Sequence, residues 1–549
     1  MCLFGKKTRK TNKNLLLSGV MILAVANILI KVIGLLYKIP LQSILTDEGM
    51  GYFNAAYRIY VIFYMVSTAG LPSAVSILVA ESRAKGNMRE TRYIFKITLR
   101  IFLIVGALGT SIMMIGAGPI ANAVQLDGSK WCIMAIAPTI FFICLSSAVR
   151  GYYQGFQNMS PTAISELIEA LGKLALGILF AVYAINRGYS LPVVAAFSIS
   201  GLTVGVLIGM VYLFLDKSRF RDAEISSEFL KADSDVLPIM GWKEIAKRLI
   251  TIAIPITISA SVMSLADVVD LAIISGRLQS IGYTEEVAAA LYGNYTTLCV
   301  PLFNLPPVLI YPISYSIVPY ISSALSIGDK EKANVTINSS LRIASLIAIP
   351  SSLGLSVLSK PILSLLFHNE ESVERAWPLL SILSLSVFFI GMLSVTNAVL
   401  QANHQERMPI ISMVSGAVVK LIASYVLIGI PGIEMYGAPI GTFACYLTAT
   451  VLNFLFLAKR VGLTPDVKKV FLRPLFASMI CGLAAIGSYL FFDLFLPAKV
   501  ATLGAILFAV LVYLLAVFLF RAVGADDIRM IPKGEKIVSL LKKFRLIRE

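Results

Sequence analysis

The sequence predicts an all-α protein that crosses a membrane about fourteen times, and three observations predict it. Apolar stretches alternate with short polar breaks along nearly the whole chain. The composition is 57% hydrophobic and only 14% charged, with a mean hydropathy of +0.83. Lys and Arg gather on every second break. A bilayer core of about 30 Å needs roughly 20 apolar residues per helix. In hydrocarbon the backbone satisfies its hydrogen bonds only as helices or as a closed barrel. The apolar runs here are continuous rather than alternating, so they read as helices.

The spans follow in order. The first six are expected near 15–45, 57–80, 94–120, 131–149, 161–185 and 191–215. A polar stretch at 216–248 separates them from six more, near 249–275, 296–322, 340–358, 376–400, 409–430 and 438–458. Two further spans, near 474–494 and 500–520, close the series. With the amino terminus placed in the cytoplasm, about 35 Lys and Arg fall on cytoplasmic segments and about 6 outside, the positive-inside pattern. That asymmetry accounts for the net charge of +16 without nucleic acid. Both termini are then cytoplasmic.

Several local features are expected to be structural. Lys6, Lys7, Arg9, Lys10 and Lys13 resemble the start of a signal peptide, and Ala24-Val25-Ala26 resembles a cleavage site. The apolar run continues well beyond it, so a retained first helix is expected. The six cysteines, Cys2, Cys132, Cys144, Cys299, Cys445 and Cys481, form no CxxC pair and read as small core residues. With only His368 and His404 in the chain, no metal site is expected. Residues 523–549 read as a basic amphipathic tail. Ile537, Leu540, Leu541, Phe544 and Ile547 recur at helical spacing among Lys536, Lys542, Lys543, Arg545 and Arg548. Such a helix lies on an anionic leaflet.

The first twelve spans contain a repeat. At an offset of 247, Phe141-Phe142 falls on Phe388-Phe389, Gln154 on Gln401 and Lys173 on Lys420. Pro161 and Pro409 match after a slip of one residue. Leu71-Pro72-Ser73 is echoed by Tyr311-Pro312-Ile313. Each half holds six helices, so the repeats are parallel, an arrangement that puts a transporter's site between two rocking lobes. The expected organisation is an amino-terminal lobe (1–215), a cytoplasmic linker (216–248), a carboxy-terminal lobe (249–458), two added helices (459–522) and the tail.

Ionisable groups inside spans mark candidate function, because each is costly at the bilayer centre. Asn27, Lys31, Gly34 and Lys38 form one polar stripe on the first helix, with Pro40 perturbing its outer end. Arg58 stands beside Tyr57, Tyr60 and Tyr64 on the second. Asp47 and Glu48 are expected to pair with Lys38 or Arg58. Asn27, Lys31, Lys38 and Arg58 are the candidate substrate-binding residues, cations suited to a pyrophosphate. Glu166, Lys173, Asp267, Asp270 and Lys420 are candidate coupling or cavity charges. Glu169 precedes Lys173 by four, the spacing of an intrahelical ion pair. Arg150, at a helix end, reads as an interfacial anchor.

The run K-V-I-G-L-L-Y-K-I-P-L at 31–41, then D-E-G-M-G-Y at 47–52, S-T-A-G-L-P-S-A-V-S at 67–76 and the basic loop at 81–92 carry a resemblance. The chain resembles the MurJ/SpoVB/YtgP branch of the multidrug/oligosaccharidyl-lipid/polysaccharide exporter superfamily, over nearly its whole length. That resemblance implies two MATE-like lobes and a bacterial plasma-membrane location. It implies a flippase that moves the undecaprenyl-pyrophosphate-linked peptidoglycan precursor, lipid II, to the outer leaflet by alternating access. Membrane lipids, the lipid-linked substrate and cell-wall synthesis proteins are the implied partners. It implies basic substrate contacts on the first two helices. Lys31 matches one, with Lys where the proteobacterial branch commonly has Arg; Lys38 and Arg58 stand near two others. The eighth-helix neighbourhood, Gly293-Asn294-Tyr295-Thr296, lacks the basic residue of that branch.

The cycle needs no cofactor on this reading. A coupling cation or the membrane potential would drive it, since an inside-negative potential pushes an anionic head outward. The alternatives are a flippase for another lipid-linked glycan (capsule, teichoic acid or spore envelope), and a drug–cation antiporter, whose cavity should favour acids. A membrane glycosyltransferase needs acids or histidines in a sizeable loop, and no such arrangement is present, so the chain does not read as an enzyme.

Overall fold

The computed structural model describes residues 4–226, 238–326, 329–403, 405–462 and 465–524. The amphipathic tail and His404 lie outside them. The described residues are helical throughout, without a strand, and divide into two compact units. One comprises 1–276 with 284–293, the other 277–283 with 294–549.

The first unit contains α1 (Phe4–Met65), α2 (Leu71–Ala84), α3 (Met88–Ile115), α4 (Ala117–Ala123), α5 (Ser129–Ile136), α6 (Pro138–Gly155), α7 (Ser160–Asn186) and α8 (Leu191–Ser226). It also takes most of α9 (Trp242–Ser280) and α10 (Glu285–Asn294). α1 doubles back at Thr46, whose φ of 59° breaks the helix. Sixteen residues of straight helix would separate Lys38 from Asn54 by about 24 Å. Instead the Lys38 ammonium donates to the side-chain amide oxygen of Asn54 at 3.4 Å, and the Tyr37 and Phe53 rings approach to 6.1 Å. The expected first span, 15–45, is the first arm; the expected second, 57–80, runs from the second arm into α2. A π-helical turn, Val66–Gly70, then leads into Leu71-Pro72 of α2.

Local chemistry fixes the other ends. Asn87 caps α3 by accepting from the Glu90 amide at 3.0 Å. Pro138 and Pro161 occupy first-turn positions where no donor is needed. The span expected at 131–149 is therefore two helices, parted at Ala137 ahead of Pro138.

α7 and α8 pack along their lengths, and glycine decides how closely. A Cβ on Gly201 would lie 2.3 Å from the Gly177 nitrogen, and one on Gly172 2.6 Å from the Gly205 Cα. Small residues let backbones meet where side chains would hold them apart. The crossing of α1 and α10 is as tight: a Cβ on Gly51 would sit 2.0 Å from the Ala289 carbonyl oxygen.

The second unit contains α11 (Val300–Phe303), α12 (Leu305–Ser326), α13 (Lys330–Val357), α14 (Ser359–Leu366), α15 (Glu370–Ser384), α16 (Ser386–Ala402), α17 (Arg407–Ile428), α18 (Gly437–Phe456), α19 (Arg473–Asp493) and α20 (Ala498–Leu519). Its core joins Ile310, Leu341, Met392, Val395 and Val399. α2 and α3 pack on α6 in the first unit as α12 and α13 pack on α16 in the second. α17 and α18 pair as α7 and α8 do. The matched phenylalanines adopt the same edge-on geometry: 5.7 Å and 73° for Phe141–Phe142, 5.1 Å and 71° for Phe388–Phe389. A second π-helical turn, Tyr295–Cys299, precedes Val300-Pro301 as the first precedes Leu71-Pro72. The two added helices, α19 and α20, pack on each other and against α13 and α14.

Eleven helices among the described residues are long and apolar enough to cross a membrane, or twelve if the pair bent by 41° at Asn304 is one crossing. This is consistent with the fourteen expected: the first of them, Val25–Ala84, holds two expected spans about the reversal at Thr46, and the expected seventh span, 249–275, lies within α9. The five described cysteines are free and buried.

Gly201→Val should lower stability in detergent by about 1–3 kcal/mol, the usual overpacking cost. Gly482→Ala, on α19 with open space around its Cα, should leave it unchanged or raise it slightly. Thermal unfolding followed by circular dichroism compares the two; equal melting of wild type and Gly201→Val would refute the close-contact account.

Candidate functional site

Three stripes of side chains converge on one cavity of about 320 Å³ in the first unit. The first arm of α1 presents Asn27, Lys31 and Gly34, the second arm Tyr57, Tyr60 and Tyr64, and α7 presents Glu166, Glu169 and Lys173. Each set is spaced three and four residues apart, so helical geometry puts each on one face. The reversal at Thr46 brings the first two faces together. Tyr37 also borders the cavity, its hydroxyl 2.9 Å from that of Ser198. Lys38, the outermost member of the expected stripe, is engaged with Asn54 instead.

The two acids of α7 are not ordinary cavity charges. Arg150, on α6, is 4% exposed and reaches Glu169 at 2.5 Å and Glu166 at 3.8 Å. Its Nε donates to the Ser165 hydroxyl at 3.1 Å. Arg150 is therefore a buried clamp, not an interfacial anchor; a helix-end position concealed a tertiary partner. The intrahelical Glu169–Lys173 pair is likewise superseded, because a planar guanidinium meets a buried carboxylate better than a flexible ammonium does. Lys173 has no carboxylate within 4 Å among the described residues. Its ammonium stands 4.6 Å from the Tyr57 ring centre and 5.1 Å from that of Tyr37, held by the rings' negative faces.

Arg58 and Asp267 form an ion pair at 2.6 Å between α1 and α9. Tyr292 of α10 joins this group, in contact with Arg58 and near Asp267 and Asp270. Asp47 accepts from the Gln42 amide at 3.0 Å. Lys420 is half-buried on α17 in the second unit. Sequence reasoning placed Asn27, Lys31, Glu166 and Lys173 among the candidates, and all four line the cavity. It did not assign Arg150 or the tyrosines; the i, i+3, i+7 spacing of Tyr57, Tyr60 and Tyr64 was the available signal.

Residues 16–325 match the family described as polysaccharide biosynthesis protein, and residues 255–426 match the family described as MatE. The chain is 25% identical over 524 residues to the stage V sporulation protein B of Bacillus subtilis (strain 168), covering 95% of this chain and 98% of that protein. It is 22% identical over 460 residues to the lipid II flippase MurJ of the same organism, covering 81% and 83%. A solved structure of lipid II flippase MurJ in an inward closed conformation matches with a TM-score of 0.65 at 17% identity, over 91% of this chain and 98% of that one. At that identity the likeness concerns the fold.

Removing Arg150 strands a buried carboxylate, a change that typically costs 3–5 kcal/mol. Arg150→Met should therefore lower the melting temperature markedly, and Arg150→Met with Glu169→Leu should recover much of the loss. A double variant no more stable than the single one would show that the clamp is not what holds α6 to α7.

Proposed function

The chain belongs to the polysaccharide biosynthesis protein family, in the flippase branch of the multidrug/oligosaccharidyl-lipid/polysaccharide exporter superfamily, and from that premise we propose that it carries a lipid-linked glycan across the membrane. The substrate we assign is lipid II, moved from the inner to the outer leaflet of a bacterial plasma membrane by alternating access. One observation carries the reading: Lys31 and Lys173 face one cavity, while its two carboxylates are drawn toward Arg150. That leaves the cavity cationic where a pyrophosphate would sit.

The physics of the cargo fits this arrangement. A polar anionic head cannot cross hydrocarbon unaided. A polyprenyl tail needs no help, and stays in lipid while the head travels in a protein cavity. Lys offers phosphate a compact point charge. No chemical step on the substrate is required, and the reading assigns no cofactor. We take the membrane potential as the driving force, at about 2.3 kcal/mol per elementary charge per 100 mV; its inside-negative sign favours outward movement of the anionic head.

A second reading has a specific observation behind it. Stage V sporulation protein B aligns over 98% of its own length, against 83% for the MurJ of the same organism. The same cavity would then serve a spore-envelope precursor on a pyrophosphate carrier.

Expression in cells depleted of their lipid II flippase separates the two, with outer-leaflet lipid II as the readout. Wild type should restore growth. Lys31→Ala and Lys173→Ala, at equal membrane abundance, should each reduce translocation at least about tenfold, the cost of losing one charge-assisted contact. No rescue by abundant wild type would move the assignment to the spore-envelope precursor. Full rescue by both lysine variants would end the cationic-cavity account.

A further inference from the structure

A pyrophosphate accounts for the lysines of the cavity but not for its tyrosines. Phe53, Tyr57, Tyr60 and Tyr64 form a continuous aromatic ladder along the second arm of α1, with successive ring centres 6.5, 5.8 and 5.8 Å apart. The three tyrosines line the cavity. Their hydroxyls make no hydrogen bond to any described residue, unlike Tyr37, which bonds Ser198. They open on the cavity rather than being sealed within the protein. Asn27, an exposed residue of the facing arm, adds an amide to the cavity lining. Glu166 reaches Arg150 only at 3.8 Å, longer than a hydrogen bond.

This wall thus combines aromatic faces with hydroxyl, amide and carboxylate groups that can donate and accept. A polyprenyl chain would satisfy none of the polar groups. An organic cation would meet Lys31 and Lys173. A pyranose matches the whole set, with apolar C–H faces to lie on a ring and a rim of hydroxyls to donate and accept. The cavity volume of about 320 Å³ falls within the ~300–1,000 Å³ of small-molecule sites. The position also fits: Lys173 stands over Tyr57, so the cationic and aromatic regions adjoin, as pyrophosphate and first sugar adjoin in a lipid-linked glycan.

We propose that Tyr57, Tyr60 and Tyr64, with Asn27 and Glu166, form a saccharide subsite that selects glycosylated carriers over the bare polyprenyl pyrophosphate. The proposal rests on the reading of this cavity as a pyrophosphate site, and its test separates the two. Full-length protein in nanodiscs is titrated with undecaprenyl pyrophosphate and with lipid II. Wild type should prefer lipid II by at least about tenfold. Tyr64→Ala should abolish that preference while leaving affinity for undecaprenyl pyrophosphate unchanged. Lys173→Ala should weaken both probes alike. Tyr64→Phe, which keeps the ring and its packing, should lower the preference about threefold to fivefold, the loss of one hydrogen bond; it decides the matter if Tyr64→Ala fails to fold. Equal affinity of wild type for the two probes, or equal loss of both in Tyr64→Ala, would overturn the saccharide subsite and leave the pyrophosphate reading standing. Binding of neither probe by wild type would overturn both.

Discussion

Hydrocarbon offers an ionised side chain nothing, so each charge among the crossing helices must find its counterpart within the protein. This chain meets the demand in three ways. Arg150 closes on two carboxylates of the neighbouring helix. Arg58 reaches across sequence to Asp267. Lys173 is met by aromatic faces, which stabilise an ammonium without cancelling its charge. The third solution gives the cavity its character, because a cation supported by rings keeps its full attraction for an incoming anion. Had Lys173 paired with Glu169, one turn away on its own helix, the cavity would hold one charge fewer. The clamp of Arg150 on Glu169 is therefore a condition of the site as well as of the packing.

The fold was legible because hydrocarbon enforces it. Continuous apolar runs admit one secondary structure, and the phenylalanine pairs at an offset of 247 were enough to pick out two halves. The stripe of Asn27, Lys31 and Gly34 was legible too, because helical spacing alone places them on one face. What was not legible is tertiary choice. Arg150 sits where a helix end meets an interface in sequence terms, and nothing local says that Glu169 approaches it. The i, i+4 rule gave Glu169 to Lys173, and a better-shaped partner from another helix took it. Arg58 and Asp267 are separated by more than two hundred residues, a pairing no local pattern encodes. The spans were legible as well: the reversal at Thr46 joins two expected spans in one helical run, and the bend at Asn304 divides the eighth.

The repeat shows how one scaffold holds different chemistry. At the same offset, Arg150 of the first half falls on Asn397 of the second. Asn397 accepts a hydrogen bond from Asn453 at 2.6 Å, and Asn453 also donates to Thr396. Both positions lie on the helix that the two preceding transmembrane helices pack against. One half has filled that place with an ion pair and the other with neutral amides. Buried amides need satisfied hydrogen bonds but carry no desolvated charge, so the two halves solve burial with different electrostatics.

The glycine contact between α7 and α8 bears on how such a cavity could change over evolutionary time. Where backbones touch at Gly172, Gly177, Gly201 and Gly205, no side chain stands between the helices to be exchanged; side chains meet only beyond that stretch, as at Tyr183 and Phe197. The charged wall on α7 inherits its position from that rigid pair, and moving it means rebuilding a backbone interface. The tyrosine wall hangs on the second arm of α1, whose glycine contact with α10 at Gly51 lies six residues before Tyr57, and its rings tolerate replacement one at a time. Divergence in the lining of the cavity should accordingly run through the aromatic wall, while the charged wall on α7 stays in place.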